Sequence, residues 1–283
     1  MKTNIVMRSY NDAWVIGATL DAIARQKAPF ELIVFDNEST DGSPDIIRKH
    51  TDRIVNVPSG TYVPGKVLNA AMRETDGEFV VFVNSDCTPQ NDEWLGNLLA
   101  GFNAPNVAAV FGRQIPRPEC QALFAKDTED TFGDGARQKY WKHCFSMASS
   151  AIRRSAWEER PFNEAIQYSE DVEWTWQARQ RGHEIRYVPD SIVMHSHNYT
   201  LKQWHKRQYG EGKAEAVMFD WPAWETTWLR YSLLPLGRQV LSDWKYALRT
   251  ANPGAFLHSP ALRTAQMLGR RKGFLEGLRE RTS

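Results

Sequence analysis

Three aspartates pose the chemical question. Asp12, Asp36 and Asp86 each follow a short apolar run within a few residues. One polar stop after a strand is ordinary turn chemistry. Three carboxylates at the ends of three strands suggest an acidic site, because open sheets bind ligands beyond the carboxyl ends of their strands. Asn84-Ser85-Asp86 closes the most apolar run, Phe79–Val83. A carboxylate there can hold a divalent cation that bridges two phosphates. Mg²⁺ or Mn²⁺ suits such a place, since both favour oxygen ligands and keep several waters. A strand-end Asx turn accounts for Asn84-Ser85-Asp86 equally well.

Two further clusters carry titratable groups. His195 and His197 follow the strand-like Ser191–Met194. At a spacing of two they point to opposite faces if the strand continues, so one imidazole, His195, would face the acidic edge. Glu170 and Asp171 open the helical run Val172–Gln180, with Ser169 placed as an N-cap. Acids in a first turn complement the helix dipole. They also give a carboxylate the rigidity that a general base needs.

What is missing narrows the chemistry. No Gly-x-Gly-x-x-Gly and no Gly-Lys-Ser/Thr is present, so the dinucleotide and P-loop cradles are absent. Neither a Gly-x-Ser-x-Gly elbow nor a His-Glu-x-x-His helix occurs, which removes common hydrolase signatures.

The elements that must position these residues alternate. Asn4–Met7, Glu31–Phe35, Arg53–Val57 and Glu78–Val83 read as strands. Ala13–Gln26, Pro44–His50 and Val67–Glu74 read as helices, the first by apolar residues near a 3.6 period. This order predicts an α/β fold with a mainly parallel twisted sheet under helices. Val107–Phe111, Cys144–Ile152 and Ile185–Val188 are further strands, and Lys126–Tyr140 reads as a polar loop. From Leu201 onward the chain turns helical and aromatic.

With 283 residues and 42% hydrophobic content the chain is long enough for a substantial core. No apolar run approaches the ~20 residues that cross a bilayer. The N-terminus meets Arg8 before a signal core could form, and three cysteines give no full disulfide set, so a reducing cytoplasmic setting is expected. The net charge of +1 hides an asymmetry: residues 201–283 hold 14 Lys+Arg against 7 Asp+Glu, on an otherwise acidic body. Such a tail is either a solvated helical surface or a contact for phosphate-rich lipid headgroups. A nucleic-acid partner is not expected.

The ordered set Ser9-Tyr10-Asn11-Asp12, Asp36 to Ser43, Asn84-Ser85-Asp86 and Glu170-Asp171 resembles the inverting, metal-dependent family-2 glycosyltransferases of the GT-A fold, over roughly residues 4–200. Pro64 to Asn69, Gly112 to Pro118 and His195 to Tyr199 look most like bacterial rhamnosyltransferases. The resemblance implies a GT-A type sheet with a C-terminal helical extension. It divides the chain into a donor subdomain (1–105), an acceptor and catalytic subdomain (106–205) and a helical extension (206–283).

It also implies roles. Asp171 would be the general base and Glu170 would position base or acceptor. Asp86 and His195 would hold Mg²⁺ or Mn²⁺. Ser9, Asp12, Asp36, Lys66, Asn69, Asn84, Ser85 and Arg113 would line the donor site. Asn84 stands where the family often has an acid, which leaves a neutral oxygen at that position. The implied donor is dTDP-rhamnose, with a UDP-hexose as the alternative, and the acceptor is a saccharide or lipid-linked saccharide. A silent nucleotide- or glycan-binding module is the rival class. A nucleotidyltransferase would need a Gly-rich loop after the first strand, and none is there.

Trp221, Trp224, Trp228 and Tyr231 recur at spacings of three and four. Such a stripe fits a helix packed on its own core, or a helix in the membrane interface that gives peripheral contact with the inner face of the plasma membrane. Pro235 and Gly237 are expected to divide this segment into two helices.

Overall fold

A computed structural model describes residues 2–138 and 143–282. They form two compact units. The first comprises 1–118, 128–166 and 170–196; the second comprises 119–127, 167–169 and 197–283.

The first unit is built on eight strands: β1 (Thr3–Ser9), β2 (Glu31–Asp36), β3 (Ile54–Asn56), β4 (Phe79–Asn84), β5 (Thr88–Pro89), β6 (Val107–Ile115), β7 (Ser149–Arg153) and β8 (Glu184–Met194). They lie in the order β3-β2-β1-β4-β7-β6-β8-β5. β1 pairs parallel with β2 and β4, and β6 pairs parallel with β8. β7 runs antiparallel to both β4 and β6. The carboxyl ends of β1, β2, β4, β6 and β8 therefore share one rim, and β7 begins there.

The central strands are apolar on both faces because helices cover both. Along β4, Val80 and Phe82 enter one core layer while Val81 and Val83 enter the other, the alternation a strand imposes. Helix α3 (Pro64–Glu74) and helix α7 (Glu170–Gln180) close the first layer through Leu68, Met72 and Trp174. Helices α1 (Ile16–Ala24), α2 (Ser43–Ile47) and α4 (Trp94–Ala100) close the second through Leu20, Ile47 and Trp94. Each large apolar side chain so buried contributes about 1.5–3 kcal/mol.

Several expectations need correction. Lys126–Tyr140 is not a loop at its start: helix α5 (Ala122–Thr131) runs into it, with Leu123 and Phe124 buried. Residues 139 and 140 lie outside the described set. The strand expected at Cys144–Ile152 begins only at Ser149, and helix α6 (Arg154–Glu159) follows it. Ile185–Val188 and Ser191–Met194 are one strand, β8, whose register against β6 shifts between Gly112 and Arg113.

The second unit holds α8 (Leu201–Met218), a π-helical turn (Trp228–Leu233), α9 (Leu234–Arg249) and α10 (Pro253–Thr282). The tryptophan stripe does not form, because 219–227 are irregular. Trp221, Trp224 and Trp228 are all exposed. Pro235 sits in the first turn of α9, where its missing N–H costs nothing, and Gly237 lies inside that helix. The interruption is thus upstream of both. Asp243 of α9, fully buried, is clamped by Arg263 of α10 at 2.7 Å.

Glycines fix how closely α8 and α10 approach. Gly269, Gly273 and Gly277 recur every four residues along α10, on one helical face. A Cβ on Gly273 would stand 1.9 Å from the Tyr209 carbonyl oxygen, and one on Gly269 would stand 2.3 Å from that of His205. Both obstacles are backbone and cannot rotate away. Gly273→Val is expected to cost roughly 3 kcal/mol by overpacking, read as earlier loss of helical circular dichroism in a urea titration. An unchanged midpoint would show that the two helices do not meet there.

Candidate active site

Strand register places the acidic rim. Ser9 lies opposite Asp36, and Arg8 opposite both Phe35 and Asn84, so the ends of β2, β1 and β4 are level. The loops that continue these strands are sewn together. Asn11 N–H donates to Ser39 Oγ at 2.8 Å, and Thr40 N–H donates to Asn11 Oδ1 at 2.8 Å. Asp12 N–H donates to Ser43 Oγ at 3.0 Å. Asn11 and Glu38 take positive φ of 54° and 53° to make these turns.

Within this frame the carboxylates are aimed. Asp36 accepts from Ser39 N–H at 2.9 Å on one oxygen and from Ser39 Oγ–H at 2.7 Å on the other. Each oxygen retains a lone pair for a further donor. Ser85 Oγ–H donates to Asp12 Oδ2, which ties the ends of β1 and β4. Burial pushes the Asp12 carboxyl up, and the charge of Asp86 adds to this against the bond from Ser85.

Asp86 and His195 face each other with 3.6 Å between Oδ2 and Nε2. That is too long for a good hydrogen bond. It is a spacing that a cation about 2.1 Å from each atom can bridge. His195 Nδ1–H donates to Gln114 Oε1 at 2.7 Å, and Gln114 in turn donates to Ser146 Oγ at 2.9 Å. This chain puts the proton on Nδ1 and turns the Nε2 lone pair toward Asp86, the arrangement typical of a metal-ligating histidine. Cys87 Sγ also lies in this group, within 4.8 Å of the other two ligand atoms. Burial pushes its thiol well above the ordinary range. A neutral thiol is a poor ligand for Mg²⁺ or Mn²⁺, so the oxygen-plus-imidazole pair is the donor set that fits.

Asp171 stands at the start of α7 with both oxygens engaged by backbone donors. Met147 N–H reaches Oδ2 at 3.0 Å and Val172 N–H reaches Oδ1 at 2.8 Å. The Ala148 carbonyl next door accepts from Asn84 N–H at 3.1 Å. Residues 146–148 therefore touch the histidine's partner, the candidate base and the end of β4, two residues before Asp86. Ser169 does not cap α7: its φ is +58°, and its hydroxyl donates to Glu211 at 2.5 Å.

Sequence reasoning missed Arg8. Its guanidinium donates to Asn84 Oδ1 at 2.7 Å and lies 4.0 Å from Glu170, with the side chain only 14% exposed. Burial alone would push Arg8 down, but the acidic groups around it, Tyr62, Glu170 and Asp171, outweigh it and hold it above its ordinary value. Asn84 thus spends its oxygen on Arg8. A lone arginine in the apolar run of β1 was the available signal. Arg117 was also missed. It donates to the Asp86 carbonyl at 2.5 Å, and its guanidinium lies 4.9 Å from the ring centroid of exposed Trp14.

Three other expected residues remain to be placed. Asn69 is buried, and its whole hydrogen-bonding capacity goes to structure. It donates to Phe162 O and Glu164 Oε1, and accepts from Trp157 Nε1 and Phe162 N–H, all at 2.8–2.9 Å. It staples α3 to the segment after α6, which leaves no atom for a donor. Lys66 is exposed in the first turn of α3. Arg113 is half-buried on β6. Its Nε is buried without a hydrogen-bond partner, as are those of Arg8 and Arg117 and the hydroxyl of Ser9. Unspent hydrogen-bonding capacity gathers at this rim.

The comparisons agree with the geometry. The model of the family "Glycosyl transferase family 2" matches residues 4–160. The chain is 30% identical over 199 residues to the O-antigen chain rhamnosyltransferase WbaN of Salmonella anatum, covering 65% of this chain and 62% of that protein. It is 28% identical over 229 residues to RfbN of Salmonella typhimurium, also an O-antigen chain rhamnosyltransferase, covering 75% and 72%. The chain thus spans somewhat under two thirds of WbaN. Among solved structures it is similar to the mannosyltransferase PcManGT of Pyrobaculum calidifontis, in complex with GDP-Man and Mn²⁺. There the TM-score is 0.60 at 21% identity, over 93% of this chain and 73% of that one. Glucosyl-3-phosphoglycerate synthase of Mycobacterium tuberculosis gives 0.57 at 19%, over 77% and 78%. These structural likenesses carry the fold, and the family match covers more than half of the chain. The chain belongs to glycosyl transferase family 2.

Proposed function

We propose that the protein is an inverting, metal-dependent rhamnosyltransferase. It moves L-rhamnose from dTDP-rhamnose onto a hydroxyl of a growing cell-surface glycan or lipid-linked saccharide, in the cytoplasm at the inner face of the plasma membrane. The observation that carries this reading is the linkage of Asp86, His195 and Asp171 through residues 146–148. The similarity to two rhamnosyltransferases supports the choice of sugar.

Residues 1–105 would bind the donor and 106–205 the acceptor. Asp36 and Asp12 stand where hydroxyl and N–H groups of the nucleoside need acceptors. Ser9 and Arg113 add donors, Ser85 an acceptor oxygen beside the proton it gives to Asp12, and exposed Lys66 a cation for the diphosphate. Asp86 and His195 would hold Mg²⁺ or Mn²⁺, which when bound supplies positive charge against the departing nucleoside diphosphate. Asp171 takes the proton from the acceptor hydroxyl as that oxygen attacks the anomeric carbon from the face opposite the leaving group. One displacement inverts the centre and forms no covalent intermediate. Backbone donors fix the Asp171 carboxylate, so it need not reorient at the moment of transfer. Arg8, between Asn84 and Glu170, holds the start of α7 against the end of β4.

Two measurements check this. A calorimetric binding panel is expected to show dTDP-rhamnose bound more tightly than UDP-glucose or UDP-galactose in the presence of Mn²⁺. Preference for a UDP-hexose would replace the donor while leaving the class intact. Asp171→Asn is expected to lower turnover by ~10²-fold or more, with donor affinity little changed. Near-normal transfer by that variant would remove Asp171 from the base role.

A further inference from the structure

The outward face of α9 is built as a contact surface. Three of the helix's four leucines, Leu234, Leu241 and Leu248, are spaced by seven and are 44%, 57% and 74% exposed. Seven residues bring a helix back to within about 20° of its starting direction, so the three form one ridge. At 1.5 Å per residue the ridge is about 21 Å long. Arg238, Lys245 and Arg249, all exposed, flank it on one side. The one acid in α9, Asp243, is turned inward and held by Arg263. The face is therefore apolar along its crest and purely cationic along its flank.

The ridge ends at an open notch of about 450 Å³ at the corner between α9 and α10. Ala247, Leu248, Ala251, Pro253, Phe256 and Leu257 line it. Leu257 is 78% exposed, the most exposed large apolar residue among those described. Leucines left in water at these fractions mark a surface that meets another apolar phase.

We infer that this face of α9, with the notch beside it, rests on an anionic lipid bilayer. The ridge enters the acyl boundary while Arg238, Lys245 and Arg249 meet the phosphates of the headgroups. Helices with this division of side chains lie in the plane of the interface, and their cations add attraction to negative lipid. Charge decides against a second copy of the chain. A two-fold contact sets a surface against itself. With the helices antiparallel it would bring three cations toward three cations, with no exposed acid on α9 between them. The inference concerns the surface alone and does not depend on which sugar is transferred.

The test is flotation of the full chain with phosphatidylcholine vesicles, with and without phosphatidylglycerol. The native chain is expected to float with the anionic vesicles, and about tenfold less with the neutral ones. Leu241→Ser with Leu248→Ser, and separately Arg238→Gln with Lys245→Gln and Arg249→Gln, are each expected to weaken flotation by about tenfold. Circular dichroism melting is expected to match the native chain for both, since these side chains are already exposed. Equal flotation by native and altered chains would overturn the inference. So would an absence of flotation, or a doubling of solution mass that the leucine changes abolish, which would give the face to a second copy.

Discussion

Three residues ahead of β7 hold the candidate site together. Ser146 accepts from Gln114, which fixes His195; Met147 donates to Asp171; Ala148 accepts from Asn84, two residues before Asp86. A strand running against its neighbours makes this possible, because β7 starts at the rim where the parallel strands end. Three backbone and side-chain bonds from one short segment reach the two halves of the site. A shift of that segment by one residue would exchange its inward and outward groups and break all three at once.

Charge balance follows from the same frame. The rim gathers Asp12, Asp36, Asp86, Glu170 and Asp171; burial holds the Asp12 carboxyl up, and the charge of Asp86 adds to it. Arg8 is the buried counterweight, set between β4 and α7. A buried cation needs both a charge partner and hydrogen-bond acceptors. Glu170 provides the first, and the neutral oxygen of Asn84 provides one of the second.

Much of this was legible in the sequence because it depends on local pattern. The strands that carry Asp12, Asp36 and Asp86 announce themselves by apolar runs, and a parallel sheet sends their ends to one rim. What was not legible depends on pairings distant in sequence. Arg8 meets Asn84 across 76 residues and Gln114 meets His195 across 81. No spacing signals either. Asn69 misled because a polar residue in an apolar helix can serve a ligand or a neighbouring loop, and only the fold shows Phe162 and Trp157 beside it. The tryptophans misled for the opposite reason: their helical spacing is real, but 219–227 do not form the helix that would use it.

The central claim is that Asp86 and His195 form the metal side of a centre whose proton acceptor is Asp171. Anomalous diffraction from crystals grown with Mn²⁺ and a nucleoside diphosphate tests it most directly. The account predicts one manganese peak within about 2.5 Å of Asp86 Oδ2 and His195 Nε2, with the diphosphate on the ion and the Asp171 carboxylate facing the sugar side of it. Manganese bound elsewhere with these two side chains empty, or a diphosphate seated away from the ends of β1 and β4, would contradict it.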